Sequence, residues 1–308
     1  MATCIFIDGA AGTTGLEIRE RLTRRAEFDL IVLDDAQRKD EAARREALHE
    51  ADIAILCLPD AAAKEAVALA QGSMTRIIDA SSAHRVAEGW TYGFAELIGH
   101  EAIAKAQLVS NPGCYPTGFL ALVAPLVRAG LLPADYPFTV NAVSGYSGGG
   151  NALIDRFEQE HPEIAFRAYG LDLAHKHLPE MTHHAALTAP PVFSPSVVPC
   201  HRGMIVDVPL HLASVGHDAK AMQDKLLSFY DGSSIVHVVS NGHVLTESLL
   251  TTDAEPSDGL TLTVCGSEDG LQARLIAQLD NLGKGASGAA IQNLNIMCGL
   301  PETTGLRL

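Results

Sequence analysis

The first hundred residues alternate between short apolar runs and longer stretches with an amphipathic pattern. The apolar runs predict four strands, in TCIFID, FDLIVLDD, ADIAILCLP and TRIIDAS. Helical patterns separate them, in LEIRERLTRR, QRKDEAARREALHE and AAAKEAVALAQG. Strands that alternate with helices of this length are typical of βαβ units and of a parallel sheet. Because a run such as IAILCL is apolar at every position, we expect the sheet to be covered on both faces.

The pattern changes after Pro112. The segment YPTGFLALVAPLVRAG predicts one long apolar helix that ends at Gly130, and AMQDKLLSFYDG and QARLIAQLDNLG predict two more helices. Strands are predicted in FTVNAVSG, SVVPCHRGMIVDVPLHLA, SIVHVVS and LTLTVCG, which indicates an α+β domain on an antiparallel or mixed sheet. The tail, GKGASGAAIQNLNIMCGL, predicts a turn and a helix that return to the first domain. We therefore expect an α/β fold with one domain over residues 1–113 plus 286–308 and a second over residues 114–285.

Net charge narrows the classes of partner. The 308 residues include 22 Lys and Arg against 37 Asp and Glu, a formal charge of −15. A surface this acidic repels a phosphate backbone and an anionic membrane, so neither nucleic acid nor a membrane is an expected partner. No apolar run reaches the roughly 20 residues of a membrane span, and MATCIFIDGAAG lacks the features of a signal peptide. Six scattered cysteines without a CxxC pair predict reduced thiols in a cytoplasmic protein.

A glycine-rich turn lies at the first strand-to-helix junction. Its candidate cofactor-binding residues are Gly9, Ala11, Gly12, Thr13, Thr14 and Gly15. Glycines allow a diphosphate to approach closely, and the helix N-terminus offers N–H donors. The position predicts a Rossmann-type, doubly wound dinucleotide-binding domain, although the GxxGxxG spacing also fits a plain strand-to-helix turn. Asp34 and Asp35 favour NAD and Arg38 and Lys39 favour NADP, so these residues alone leave the cofactor open.

One cysteine lies in a setting that favours reactivity. Cys114, in SNPGCYPT, lies between a predicted strand and the apolar helix, at the N-terminus of that helix. The helix dipole lowers the pKa of such a thiol from about 8.5, and the thiolate is a nucleophile. Backbone N–H groups of the same turn can stabilise an oxyanion, and Asn111 is a candidate substrate contact. The alternative is a buried cysteine in a tight turn. The other five cysteines lie inside apolar strands or helices, where we expect small buried side chains.

A second polar cluster lies in AHKHLPE. Because Leu178 precedes a proline, we expect His175 and His177 on an extended segment, where positions i and i+2 share a face. Pro179 and Glu180 then open a helix, and the carboxylate can orient an imidazole for acid–base work. A surface loop rich in histidine is the first alternative. A zinc site is the second, but without a second nearby Cys we expect no metal.

Four further positions in the sequence are candidates for ligand contacts. Ser147 and Gly148, in SGYSGGG, follow a strand, and a flexible turn of this kind suits close approach to a ligand. The alternative for this segment is a mobile surface loop. Ser81, in DASSAHR, is a candidate cofactor contact. Arg85 and Arg202 are candidate clamps for an anionic group of the substrate, and a structural salt bridge is the alternative for each.

Taken together, these motifs resemble the semialdehyde dehydrogenase family, and within it the N-acetyl-γ-glutamyl-phosphate reductases of arginine biosynthesis in their shorter bacterial form. The resemblance runs through GAAGTTG, DASSAHRV, SNPGCYPTG, AVSGYSGGG, HKHLPE, HRGMIVDVPL and KGASGAAIQNLNIMCGLPETTGL, and so spans nearly the whole chain. One departure is Asn151, where a lysine is expected in this form.

The resemblance implies an enzyme that uses NADP(H) and converts N-acetyl-γ-glutamyl phosphate into N-acetylglutamate 5-semialdehyde and inorganic phosphate. It implies that Cys114 forms a thioester, that His177 is the acid–base residue with His175 nearby, and that Glu180 orients His177. The cofactor-binding residues that it implies are Gly9, Gly12, Gly15, Ser287 and Gly288.

Three other functions stay open at this point. The first is an acyl-phosphate reductase like aspartate-semialdehyde dehydrogenase, with the same cysteine chemistry on a shorter substrate. The second is a non-catalytic NADP-binding redox sensor that uses Cys114, and the third is a metal-dependent hydrolase. We also expect a homo-oligomer, a dimer or a tetramer, because a bare sheet edge in the second domain invites self-association.

Overall fold

The computed structural model describes residues 2–240 and 246–308. Their contacts divide the chain into two compact units. Unit 1 comprises Met1–Gly113 and Ala286–Leu306, and unit 2 comprises Cys114–Gly285 with Arg307 and Leu308. The last two residues belong with unit 2, where the Arg307 N–H donates to Asp258 Oδ2 at 2.8 Å.

Unit 1 contains a parallel sheet whose strands are β1 (Thr3–Asp8), β2 (Phe28–Ile31), β3 (Ile53–Leu56), β4 (Arg76–Asp79), β5 (Thr91–Tyr92) and β6 (Leu108–Ser110). Their order is β2-β1-β3-β4-β6-β5, and every neighbouring pair is parallel. The helices of this part of the chain are α1 (Thr13–Leu22), α2 (Glu41–Glu50), α3 (Asp60–Leu69), α4 (Ala95–Ile98) and α5 (His100–Lys105). The prediction of a doubly wound parallel sheet is confirmed.

Unit 2 contains a mixed sheet whose strands are β7 (Thr139–Gly145), β8 (Arg167–Ala168), β9 (Val192–Val198), β10 (Met204–His211), β11 (Val236–Val238), β12 (Leu260–Gly266) and β13 (Gln272–Leu279). Their order is β11-β12-β13-β10-β7-β9-β8. The pairs β7–β9 and β11–β12 are parallel and the others are antiparallel. The helices of this unit are α6 (Cys114–Arg128), α7 (Asn151–Asp155), α8 (Leu178–His184) and α9 (Ala219–Phe229). The predicted α+β organisation on a mixed sheet is also confirmed.

The tail returns to unit 1 as α10 (Gly288–Met297). There it helps to cover one face of the parallel sheet. Ile5 and Ile7 of β1 lie in a core with Ile291 and Leu294 of α10, whereas Phe6 faces a second core on the other side. Alternate residues of a strand point to opposite faces, so the apolar run of residues 4–7 in β1 is explained by helices on both sides.

The segment QARLIAQLDNLG begins with strand β13 (Gln272–Leu279), and the prediction of a helix there was wrong. Buried residues alternate with more exposed ones along β13, and Ala273, Leu275 and Ala277 face the core. The strand is also central, since it pairs with β10 on one side and with β12 on the other. Local composition with good helix formers was overridden by tertiary pairing, and the period-two burial is what a strand requires.

No helix within residues 2–240 and 246–308 is long and apolar enough to cross a membrane.

Candidate active site

The glycine turn between β1 and α1 is closely packed, which explains two of its glycines. Gly9 has φ +89, and a Cβ there would lie 2.3 Å from the carbonyl oxygen of Cys57. A Cβ on Gly15 would lie 2.3 Å from the carbonyl oxygen of Gly9. Gly12 precedes α1, and no side chain caps the helix from this position. The turn therefore brings bare backbone and a helix N-terminus together, as a diphosphate requires.

A pocket of about 710 Å³ lies at the carboxyl ends of β1 and β2, with the glycine turn in its wall. Its charged lining residues are Asp8, Arg19, Asp34, Asp35, Arg38, Lys39 and Arg44. The Asp34 carboxylate accepts the N–H groups of Ala36 and Gln37, and Arg38 pairs with the exposed Asp35 at 2.8 Å. The neighbouring strands β1 and β3 mark the point where strand order reverses, which is where doubly wound folds bind ligands. A dinucleotide therefore fits the residues of this pocket.

An ion pair in the wall of the same pocket did not figure in the sequence prediction. Asp8, the last residue of β1, accepts two hydrogen bonds from Arg44 of α2 at 2.8 and 3.1 Å. Burial raises the pKa of the Asp8 carboxyl, and the Arg44 guanidinium opposes that shift. The spacing of 36 residues left no sequence signal for this pair. It fixes α2 at the edge of the pocket.

Ser81 lies in a buried cluster that follows β4. Its hydroxyl donates to Asp79 Oδ2 at 2.7 Å and accepts the Ala83 N–H at 3.1 Å. The same carboxylate oxygen lies 2.6 Å from His84 Nδ1, and the imidazole stacks on Trp90 at 4.1 Å between centroids. Asp79 is fully buried, so this network fixes the turn that presents Ser81.

Arg85 and Asn111 are both buried and bind backbone groups of unit 1. The Arg85 guanidinium donates to the carbonyl oxygens of Asn111 at 3.0 Å and of Ala80 at 3.1 Å. The Asn111 amide donates to Ala286 O at 3.0 Å and accepts from Asn293 Nδ2 at 3.1 Å. These contacts of Arg85 and Asn111 hold the loop that follows β6 in place.

Ser287 and Gly288 lie where the chain returns to unit 1 and begins α10. Both are buried, and Ser287 has no exposed surface. Arg21 of α1 donates to the Ser287 hydroxyl at 3.3 Å. The contact joins this turn to the helix that follows the glycine turn.

Cys114 is the first residue of α6, and so lies at the helix N-terminus that the sequence predicted. Its side chain is partly exposed, and it lies against the backbone of the turn that follows β13. A Cβ on Gly285 would lie 2.8 Å from Cys114 Cβ and 3.1 Å from Asp280 O. Only glycine fits at this position without displacing the cysteine.

The Tyr115 side chain lies next to both of the predicted histidines. Its ring centroid lies 6.1 Å from that of His175 and 5.9 Å from that of His177. Phe193 of β9 packs against both Tyr115 and His175 at 5.1 Å. The tyrosine hydroxyl donates to Ser196 O at 3.3 Å. Tyr115, the residue that follows the candidate nucleophile, is thus a buried aromatic side chain that packs against both imidazoles.

His175 is held in one tautomer. The backbone N–H of His177 donates to His175 Nδ1 at 3.1 Å, so the proton of the neutral ring is on Nε2. Burial, and then the charge of Lys176, lowers the pKa of His175 to about 4. The ring therefore stays neutral near pH 7 and presents an N–H donor.

The prediction that the two histidines lie on an extended segment was wrong. The Leu178 N–H donates to His175 O at 3.0 Å, which closes a turn, and α8 begins at Leu178 although Pro179 follows. The two imidazoles are nevertheless adjacent, with centroids 4.8 Å apart. Pro179 lies in the first turn of the helix, where its missing N–H has no cost.

His177 and Glu180 are both buried at the start of α8. His177 precedes the first residue of the helix, and its carbonyl accepts the Met181 N–H at 3.0 Å. Positions three apart at a helix start share a face, so the carboxylate and the imidazole lie on one side of α8.

The predicted ligand contacts of SGYSGGG and HRGM lie side by side in unit 2. The Ser147 N–H donates to His201 O at 3.2 Å, and Asn281 donates to the Ser147 hydroxyl at 2.9 Å. A Cβ on Gly148 would lie 3.3 Å from Asn281 Nδ2. Arg202 donates to Asp280 Oδ2 at 2.7 Å. The structural salt bridge left open for Arg202 is therefore present.

Asp280 and Asn281 are two further residues that the sequence interpretation missed. They follow β13 directly, and the assignment of that segment to a helix concealed them. The signal was available in the apolar residues at every second position, Ala273, Leu275, Ala277 and Leu279, between which more polar residues mostly lie. Polar residues at the end of a buried strand are frequent ligand or support positions.

In the described parts of the chain, no group of three or more His, Cys, Asp or Glu side chains is arranged to hold a metal ion.

Two family models together match most of the chain. One, described as "Semialdehyde dehydrogenase, NAD binding domain", matches residues 5–106, and the other, described as "Semialdehyde dehydrogenase, dimerisation domain", matches residues 114–281. These matches define the class of protein as the semialdehyde dehydrogenases, which are oxidoreductases.

Curated relatives narrow the class. A protein of Brucella ovis is 53% identical over 96% of this chain and 98% of its own length, and one of Trichormus variabilis is 47% identical over 98% of each. Both are named N-acetyl-gamma-glutamyl-phosphate reductase. The chain therefore belongs to the semialdehyde dehydrogenase family and, within it, to the group that carries this name.

Solved structures share the fold at low sequence identity. Aspartate semialdehyde dehydrogenase II of Vibrio cholerae, complexed with ASA, superposes with a TM-score of 0.71 at 16% identity and covers 97% of this chain and 99% of its own. The enzyme of Candida albicans, with NADP, gives a TM-score of 0.67 at 14% identity with the same coverage.

We predict that alkylation at neutral pH labels Cys114 first. Burial raises the pKa of each of the other five thiols, that of Cys57 to about 12, whereas Cys114 lies at a helix N-terminus. Peptide mass spectrometry after brief iodoacetamide treatment measures the order, and a Cys114→Ser variant should lose the fast reaction. Equal labelling of several cysteines would contradict the prediction.

We predict that burial of neutral His175 makes stability depend on pH. Because its folded pKa of about 4 lies below the ordinary 6.5, the unfolded chain binds the proton first, so this contribution to stability is lost as pH falls from 6.5 towards 4. Urea unfolding across this range should show a shallower loss in His175→Gln than in wild type. The exposed His183→Gln on α8 is the matched control, and identical slopes in wild type and His175→Gln would rule out the effect.

Proposed function

We propose that this protein catalyses the NADPH-dependent conversion of N-acetyl-γ-glutamyl phosphate into N-acetylglutamate 5-semialdehyde and inorganic phosphate, through a thioester on Cys114. Relatives with this name, at 47% and 53% identity over nearly the full length, support the substrate. The observation that carries the chemistry is the position of Cys114 at the start of α6, next to Tyr115 and its two imidazoles.

The first half of the reaction transfers the acyl group. The Cys114 thiolate attacks the carbonyl carbon, the C–S bond forms, and the bond to the phosphate oxygen breaks with its electron pair leaving on phosphate. His177, protonated at the outset, gives the departing phosphate its proton. Glu180 stabilises the charged imidazole, and the Nε2–H of His175 is a fixed donor for the substrate oxygen.

The second half releases the aldehyde. When bound, the reduced nicotinamide supplies the hydride that converts the thioester carbonyl into a thiohemiacetal oxyanion. The oxyanion then expels sulfur, so that the C–S bond breaks and Cys114 returns as a thiolate. His177 regains its proton from solvent. Atoms and charge balance for one acyl phosphate, one NADPH and one proton.

The pocket at the glycine turn is the proposed cofactor site. Gly9, Gly12 and Gly15 suit the diphosphate. Asp34 Oδ1 is engaged by its own turn. Beside it in the pocket lining are two cations, Lys39 and Arg38 in its ion pair with the exposed Asp35, and these are the residues proposed for a 2′-phosphate and therefore for NADP. Ser287 and Gly288 are proposed to lie on the nicotinamide side, and Ser81 in the cofactor-binding surface.

We further propose that the protein works as a homo-oligomer, a dimer or a tetramer, because its second half matches a model described as a dimerisation domain. A cytoplasmic location fits thiols that must stay reduced.

The direct test is phosphate-dependent reduction of NADP⁺ with N-acetylglutamate semialdehyde. Cys114→Ser should abolish turnover and leave NADPH binding intact, because the nucleophile is lost while the cofactor pocket is unchanged. Cys265→Ser, on the mixed sheet, is the control and should keep wild-type turnover.

The other functions give different results in this assay. Activity with aspartate semialdehyde instead would keep the mechanism and refute the substrate. Cofactor binding without turnover of either aldehyde would favour the redox-sensor alternative.

We predict that His177→Asn lowers turnover by a factor of ~10²–10⁴, the usual cost of losing general acid–base catalysis. Steady-state rates with saturating substrate measure it, and His183→Asn on the same helix is the control. A wild-type rate in His177→Asn would remove this residue from the mechanism.

A further inference from the structure

Two residues that directly follow β13 connect three segments of unit 2, two that carry predicted site residues and one that lies against Cys114. Asp280 is 4% exposed and Asn281 is 1% exposed. One segment is the SGYSGGG turn after β7, another is the loop before β10, and the third is the turn that lies against Cys114. None of these three segments is adjacent to another in sequence.

The two oxygens of the Asp280 carboxylate accept hydrogen bonds from three different segments. Oδ2 accepts from Arg202 Nη1 at 2.7 Å and from the Ser257 N–H at 3.2 Å. Oδ1 accepts the Leu282 N–H at 2.9 Å, and the Asp280 carbonyl accepts the Gly285 N–H at 2.9 Å. The same residue therefore orients a guanidinium and closes a turn of the main chain.

That turn sets the surroundings of the nucleophile. A Cβ on Gly285 would lie 2.8 Å from Cys114 Cβ, so the backbone at Gly285 is packed directly on the cysteine. If the carboxylate of Asp280 no longer holds Leu282, the turn can shift, and the contact with Cys114 shifts with it. Displacements of about 1 Å at a reacting group can cost 10²-fold in rate.

The Asn281 amide also uses both of its polar atoms. Nδ2 donates to the Ser147 hydroxyl at 2.9 Å, and Oδ1 accepts the Gly203 N–H at 2.9 Å. A buried amide with both ends satisfied holds two loops in a fixed register, because moving either one leaves a buried polar group without a partner.

We propose that Asp280 and Asn281 are positioning residues for the reaction proposed above. Asp280 holds Arg202 and the turn beside Cys114, and Asn281 holds Ser147 against the loop that carries Arg202. The role rests on the proposed function, since the substrate is what the positioned groups meet. Neither residue needs to touch the substrate.

The test compares Asp280→Asn and Asn281→Asp, which keep the side-chain shape, with Asp207→Asn as the matched control. Asp207 of β10 pairs with Arg274 of β13 at 2.9 Å, an ion pair on the same sheet in which the arginine is far more exposed. Turnover, the KM for each substrate, the rate of Cys114 alkylation and thermal unfolding are measured for each variant.

For Asp280→Asn we expect kcat/KM for the acyl phosphate to fall about 10²-fold, a change in the Cys114 alkylation rate, and an unchanged KM for NADPH. For Asn281→Asp we expect mainly a higher KM for the acyl phosphate. Asp207→Asn should match wild type in all kinetic values. In the double variant Asp280→Asn with Arg202→Gln, the effects on KM should not add, because one contact is shared.

Three outcomes would overturn the proposal. The first is wild-type kinetics and alkylation in Asp280→Asn with only a lower melting temperature, which would make the residue structural. The second is additive effects with Arg202→Gln. The third, should Asp280→Asn not fold, is wild-type kinetics in both Arg202→Gln and Asn281→Asp. If wild-type protein itself does not reduce the acyl phosphate, the proposed function fails, and the alkylation rates still test the positioning.

Discussion

The packing of α6 on the mixed sheet is the constraint on which the candidate active site depends. The helix is buried over most of its length, and a Cβ on Gly118 would lie 2.8 Å from Val206 of β10. Any larger residue there would push the helix away from the sheet and move Cys114, one turn earlier, with it. A nucleophile at the end of a helix fixed in this way has its position set by the core of unit 2, which is close-packed and resists small shifts.

The surroundings of Cys114 follow from that placement. Tyr115 projects from the first turn of α6 onto both imidazoles, so the same helix that carries the nucleophile also supports the acid–base cluster. From the other side, the turn after β13 meets Cys114 through Gly285, and Asp280 holds that turn. The reactive thiol is thus supported by an aromatic wall and by a backbone turn, and each is fixed by buried hydrogen bonds.

Much of this arrangement could be predicted because its signals are local. The turn around Gly9, the helix N-terminus at Cys114 and the presence of a helix around Pro179 each depend on neighbours in sequence. The strand β13 could not be predicted from its local composition, because that composition favours a helix. Its strand conformation is determined by its pairing with β10 and β12. Hydrogen bonds such as that from Arg202 to Asp280, 78 residues apart, have no sequence signature at all.

The most direct measurement of the central claim is a single turnover of acyl phosphate in the absence of NADPH, quenched in acid and analysed by peptide mass spectrometry. The account predicts an N-acetylglutamyl group on the peptide that contains Cys114, lost again when NADPH is added before the quench. Release of phosphate without acylation of Cys114, or an acyl group on another residue, would contradict it.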